Sequence, residues 1–200
     1  MTRLTAVILA QVLSLASLTS QADNASQLYF PCVSCHGQNG EGSPAINAPS
    51  LQGQSAAYIT RQLQDFRDGR RGQYPADPWG AQMALMAANL SDEAVTILGE
   101  HIADLAYPKT DDSQDGTEPP TAFAACAACH GLQGRGNQAL NAPRIRGMDS
   151  TYLSRQLRHF RDGQRGAGKA SGPATVMRNA MPADLSDEDI EQLARYIETL

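Results

Sequence analysis

Two stretches decide how this chain is read: Cys32-Val33-Ser34-Cys35-His36-Gly37 and, 94 residues further on, Cys126-Ala127-Ala128-Cys129-His130-Gly131. Cys-x-x-Cys-His is the attachment sequence of a c-type haem. On one helical turn two thiols reach two edges of the porphyrin and form thioethers, while the next residue projects its imidazole toward the iron. Four cysteines in an exported chain otherwise suggest two disulfides, and close pairs also occur in thioredoxin-like dithiols and zinc sites. The dithiol reading lacks a βαβ context. Zinc needs further Cys or His ligands, and the remaining histidines, His101 and His159, belong to no repeated site. The motifs therefore predict two covalently bound haem c groups. Cys32, Cys35, Cys126 and Cys129 form the attachments, and His36 and His130 ligate the irons.

The two motifs sit inside a longer repeat. In the same register Tyr29 falls on Phe123, Asn47-Ala48-Pro49 on Asn141-Ala142-Pro143, and Gly53 on Gly147. Tyr58-x-x-Arg61-Gln62-Leu63 falls on Tyr152-x-x-Arg155-Gln156-Leu157, and Phe66-Arg67-Asp68-Gly69-x-Arg71-Gly72 on Phe160-Arg161-Asp162-Gly163-x-Arg165-Gly166. After one inserted residue, Leu90-Ser91-Asp92-Glu93 meets Leu185-Ser186-Asp187-Glu188. A match of this length is a duplication. It divides the chain into a first domain over 23–107 and a second over 121–200. The polar, acidic, proline-bounded stretch 108–120 reads as a solvated linker.

Residues 1–22 carry one Arg, an apolar run from Leu4 to Leu18 and a small-x-small exit at Ser20-Gln21-Ala22. They read as a secretory signal peptide cleaved after Ala22, which places the mature protein outside the cytoplasm. The apolar run is short for a bilayer span, and nothing after it is long and apolar enough for one.

Charge is unevenly spread. Residues 23–107 hold 4 Arg and no Lys against 9 acidic residues, −5, whereas residues 121–200 hold 9 Arg and 1 Lys against 8, +2. No basic cluster is dense enough to bind nucleic acid. The polarity bears on docking rather than fold.

Each copy reads as three short helices with long loops, an all-α architecture. The first helix, about 25–36 or 121–130, delivers the cysteines. The second runs from about Ser55 to Phe66, or Ser150 to Phe160, and stops before Gly69 or Gly163. The last opens at Ser91 or Ser186 with acids in its first turn. It carries an apolar stripe at Val95, Leu98, Ile102 and Leu105, matched by Ile190, Leu193, Ile197 and Leu200. Three short helices in about 80 residues bury little apolar surface, so such a domain needs an internal staple, which a covalent haem supplies.

The sixth iron ligand follows from elimination. A thioether suits an electron carrier because Met/His ligation raises the potential. Met83 and Met177 each lie 47 residues beyond their histidine, and this shared register favours them over Met86 and Met181, which match only after the insertion. Pro49 and Pro143 are candidate owners of the carbonyls that orient the two histidines. Arg61, Arg67, Arg71, Arg155, Arg161 and Arg165 are candidates for haem propionates, with solvated helix arginines as the alternative. His101 and His159 match Tyr196 and Asp65 and read as surface residues.

Taken together, the paired Cys-x-x-Cys-His-Gly motifs, the Gln-Leu-x-x-Phe-Arg-x-Gly helix end and a methionine before Leu-Ser-Asp-Glu resemble the dihaem cytochrome c4 family of the bacterial periplasm. The resemblance spans the mature chain. It implies two tandem class I cytochrome c folds packed face to face, each wrapped around its haem. It also implies an electron carrier, not an enzyme, working between respiratory partners: a quinol–cytochrome c reductase, a haem–copper oxidase or a dehydrogenase. In that family the methionine further from the Leu-Ser step is usually the ligand, which supports Met83. Met177 stands one residue further out than the pattern, and Met181-Pro182 resembles the ligand dipeptide of other small cytochromes. A haem subunit of a flavin-containing dehydrogenase is a second reading of the same build.

Overall fold

The structure, a computed structural model, describes residues 24–105, 107, 118–169, 172–182 and 184–200. The expected signal peptide and most of the expected linker lie outside these residues. The first copy contains α1 (24–36), α2 (Ala56–Arg67), α3 (Pro78–Ala87) and α4 (Asp92–Ala103). The second contains α5 (Phe123–His130), α6 (Ser150–Arg161), α7 (Gly172–Ala180) and α8 (Asp187–Thr199). The architecture is all-α. Extended pairing among the described residues is limited to the isolated bridges Ser43↔Ala48 and Asn137↔Ala142, which occupy equivalent positions of the two copies.

Local sequence accounts for the helix starts. Ser55 Oγ accepts the Tyr58 N–H at 3.2 Å and Ser91 Oγ accepts the Ala94 N–H at 3.1 Å. Ser186 and Asp189 form a reciprocal capping box. Each such cap stabilises its helix by about 1 kcal/mol. The second helix of the second copy is capped by Asp149, whose carboxylate accepts the Tyr152 N–H at 2.9 Å.

Each copy closes the same way: α2 packs on α4 and α3, and α6 packs on α8 and α7. The predicted stripe is the core. Val95, Leu98 and Ile102 are buried on α4, as are Ile190, Leu193 and Ile197 on α8. The cysteine-bearing helix meets the last helix through an aromatic pair, Tyr29 with His101 at 5.3 Å and Phe123 with Tyr196 at 4.8 Å between ring centres. His101 is therefore a packing residue of the first domain rather than a plain surface histidine. The Arg of the Phe-Arg-Asp-Gly motif ties the second helix to the start of the last one. Arg67 donates to Leu90 O and pairs with Asp92, and Arg161 donates to Leu185 O and pairs with Asp187.

The helices α3 and α7 were not expected. Asp77 caps α3 by accepting the Gly80 N–H at 3.0 Å, with Pro78 in the first turn. Both helices lie close against the turn that ends the preceding helix. Gly72 and Gly166 have φ of +80° and +84°, and a Cβ on either would run into the carbonyl of Gly80 or Ala174. These glycines let the methionine-bearing helices approach the domain.

Candidate functional site

In each copy the loop after the cysteine helix turns back onto its histidine, and in the second copy the methionine helix joins them around one cavity. His36 Nδ1 lies 2.9 Å from Pro49 O, and His130 Nδ1 lies 2.8 Å from Pro143 O. A carbonyl can only accept, so Nδ1 carries the proton and Nε2 keeps its lone pair for a metal. Both rings are buried. Burial holds their pKa below the usual histidine range, against the opposing pull of the proline carbonyl, so each ring is a neutral donor.

The loop that supplies the carbonyl is tightly built. Gly42 N–H donates to His36 O at 2.8 Å, and Ser43 and Ala48 exchange backbone hydrogen bonds. Asn47 closes this turn in the left-handed region at φ +58°, as Asn141 does at +54° in the second copy. Gly42 and Gly136 sit where a Cβ would meet the carbonyl carbon of Pro49 or Pro143 at 2.7 Å, so the loop can press onto the histidine helix only with glycine there.

In the second copy Cys126, Cys129, His130, Met177 and Met181 line one apolar cavity, walled by Leu153, Leu157 and Phe160 of α6. In the first, α3 carries Met83 half-buried and Met86 47% exposed. Burial and the neighbouring thiol raise the pKa of Cys32 and Cys126, with burial the larger cause, so neither is an activated thiolate of the dithiol type. Among the described residues no group of three or more His, Cys, Asp or Glu side chains forms a metal cluster, as a zinc site would need. A buried neutral imidazole beside two thiols on an apolar wall fits a c-type haem.

The cavity of the second copy is completed by the first: Tyr58, Arg61 and Gln62 of α2 also line it. There the two domains meet through a square of equivalent residues. Gln62 Oε1 accepts from Arg71 at 2.7 Å and from Arg165 at 2.8 Å, and Gln156 Oε1 accepts from Arg165 at 2.7 Å and from Arg71 at 2.9 Å. Arg71 stacks over Phe66 and Arg165 over Phe160, at 4.4 and 4.5 Å. Of the six candidate arginines, Arg67 and Arg161 make their contacts within their own domains, whereas Arg61, Arg71, Arg155 and Arg165 each also reach a residue of the opposite domain. This contact set was not legible in the sequence, although the repeated Gln and Arg positions were its signal.

With that geometry in place, comparison with known proteins is decisive. Residues 22–106 and 120–200 each match the cytochrome c family. The chain is 34% identical over 182 residues to cytochrome c4 of Thiocapsa roseopersicina, covering 84% of this chain and 86% of that one. The chain belongs to the cytochrome c4 family. It is 29% identical over 204 residues to a protein of Stutzerimonas stutzeri strain A1501 described as a thiosulfate dehydrogenase electron acceptor, covering 91% and 88% of the two chains. The crystal structure of reduced recombinant cytochrome c4 from Pseudomonas stutzeri superimposes with a TM-score of 0.66 at 28% identity, over 90% of this chain and 98% of that one. This cytochrome c4 homologue is a dihaem electron carrier, with a c-type haem site of His/Met ligation in each of its two cytochrome c domains. Among the described residues no helix is long and apolar enough to cross a membrane.

His159 departs from the sequence reading. It is 9% exposed at the domain interface, with Nδ1 3.7 Å from Asp77 Oδ2 and its ring 6.3 Å from that of Tyr74. Burial lowers its pKa, Asp77 opposes this, and Arg155, Arg71 and Arg165 add to the lowering. Below the ordinary histidine value of about 6.5 the unfolded chain takes up a proton that the folded protein refuses. Stability should therefore fall with pH from about 6.5 down to the depressed folded value, at up to about 1.4 kcal/mol per pH unit, and the loss should then level off. Denaturation midpoints of the holoprotein between pH 8 and 5 should show this slope, and H159N should flatten it.

Proposed function

We propose that this carrier is an exported, periplasmic shuttle that passes single electrons between respiratory complexes and toward a haem–copper terminal oxidase. In this reading residues 1–22 are removed as a signal peptide, and domains over 23–107 and 121–200 are joined by a linker over 108–120. His36 with Met83 and His130 with Met177 are the axial pairs, and Cys32, Cys35, Cys126 and Cys129 are the attachments.

The observation that carries the reading is the pair of neutral, buried histidines oriented by proline carbonyls, each in a domain that also offers a thioether. Two filled axial positions suit electron transfer rather than substrate chemistry. Met83 and Met177 are supported by their common register, and Met83 also by its burial beside the more exposed Met86. The haem supplies the redox change. The chain supplies attachment, axial ligands and an apolar surround. The −5 and +2 domains offer opposite charge to a donor and an acceptor.

A second reading is that of electron acceptor to a particular dehydrogenase, which the name of the Stutzerimonas stutzeri relative favours. Purified holoprotein should contain two haems per chain by alkaline pyridine spectra, both resistant to acid acetone, and one haem or extractable haem would refute the site assignment. Capture of partners from native membranes by the mature holoprotein then separates the two readings. Recovery of an oxidase supports the shuttle, and recovery of a dehydrogenase alone supports the second.

A further inference from the structure

The loop that orients each axial histidine is held by the opposite domain. Gln54, buried at the start of α2 in the first domain, donates Nε2–H to Arg144 O at 2.8 Å, and Arg61 donates to Asn141 O at 3.2 Å. These two carbonyls bracket Pro143, the acceptor for His130. Reciprocally, Arg155 of the second domain donates to Asn47 Oδ1 at 3.0 Å and to Asn47 O at 3.4 Å, two residues before Pro49, the acceptor for His36. Arg155 also stacks on Trp79 at 4.5 Å, in the helix that carries Met83. Asn47 and Asn141 are the non-glycine residues of left-handed φ among those described, so both grips fall on the turns that set the loops' shape.

We infer that each domain positions the proximal histidine of the other haem, with Gln54 and Arg61 acting on His130 and Arg155 acting on His36. The chain of contacts is short and continuous. A loop held at the turn fixes the proline carbonyl, the carbonyl fixes the Nδ1–H of the ring, and that hydrogen bond sets the basicity and orientation of the ligand. Gln54, Arg61 and Arg155 are thus positioning residues, acting through the loop. The arrangement is unequal. Arg155 reaches two elements of the first domain, the loop and the methionine helix, whereas the second domain's loop is held at two carbonyls on either side of its proline.

The inference rests on the haem reading of the two sites, and its signature is a crossed one. Gln54→Met is the cleanest variant, since it removes the donor without changing charge and introduces the residue that the second copy has at this position, Met148. In the full-length dihaem protein it should shift the reduction equilibrium of the second haem by about two- to fivefold, the worth of one hydrogen bond, and leave the first unchanged. Arg155→Lys keeps the charge but loses the paired contact to Asn47, and it should shift the first haem by a similar factor. The two haems are told apart by Met83→His and Met177→His, which change the ferric spectrum of one haem each. If Met86 or Met181 proves to be the label instead, the axial assignment is corrected and the crossed pattern can still be read. Ferric EPR or paramagnetic NMR should report altered histidine-ring signals for the shifted haem only, a change that a general loss of stability would not produce. The inference is overturned if Gln54→Met and Arg155→Lys leave both haems unchanged, or if each moves the haem of its own domain.

Discussion

Met83→Ala should remove the far-red sulfur-to-iron band from one of the two haems, leaving the other half of the absorbance in place. The same variant should lower the potential of the first haem by on the order of 100 mV, a modest part of the ~0.8 V over which axial ligands set haem potentials. Its reduced form should gain carbon monoxide binding at one site per chain. Met83 lies on α3, a helix pressed against the domain by the glycine at position 72, and it is the half-buried member of a pair whose other member, Met86, is 47% exposed. Met86→Ala should leave band and potential in place. The reverse outcome would move the ligand by one helical turn.

Gln62→Leu should be the most damaging single change at the domain interface. One buried amide oxygen there accepts from two guanidinium groups, Arg71 at 2.7 Å and Arg165 at 2.8 Å. Arg165 is 8% exposed, so water has little access to take over. Leucine has nearly the same volume and no acceptor, and it leaves two charged donors without this partner. Losing a buried partner costs about 1–3 kcal/mol for each donor, so a loss of about 2–6 kcal/mol is expected. It should act on the contact between domains more than on either core. Denaturation followed separately at the haem bands and by far-ultraviolet circular dichroism should change from one coincident transition to two. Gln156→Leu should behave alike, because it fills the opposite corner. A single coincident transition with an unshifted midpoint would mean that the square contributes nothing to coupling.

How far the sequence could be read follows from which interactions are local. The cysteine helices, the serine caps and the stripe from Val95 to Ile102 were legible because each is written in a period or a cap of adjacent residues. The roles of Pro49 and Pro143 were legible because they recur at fixed distance from the histidines. Helix α3 was missed because alanine, glycine and methionine give it no one-sided apolar stripe, although Asp77-Pro78 is a start signal that marks it, and α7 was missed because its nine residues are too short a window for a helical period to be counted. His159 was misread for a different reason. Its side-chain partners, Asp77 and Tyr74, belong to the other copy, so nothing near it in the sequence marks it as buried. The two sides of the Arg–Gln square that cross between the copies and the crossed grips on the loops are likewise made between residues some 80 to 110 positions apart, and no local pattern announces them.

The square has one more consequence. Residue 62 of one copy meets residue 165 of the other, and residue 156 meets residue 71 in return. Self-complementary exchange of this kind is what a two-fold dimer of identical subunits builds across its axis. One glutamine and one arginine, repeated in each copy, supply all four contacts of the square, so two copies of one domain hold the chemistry it uses. The departures from two-fold symmetry, Trp79 beneath Arg155 and His159 beside Asp77, lie around this square rather than in it. The shared axis is thus built from residues the two copies have in common, and the contacts that distinguish the copies are set at its edge.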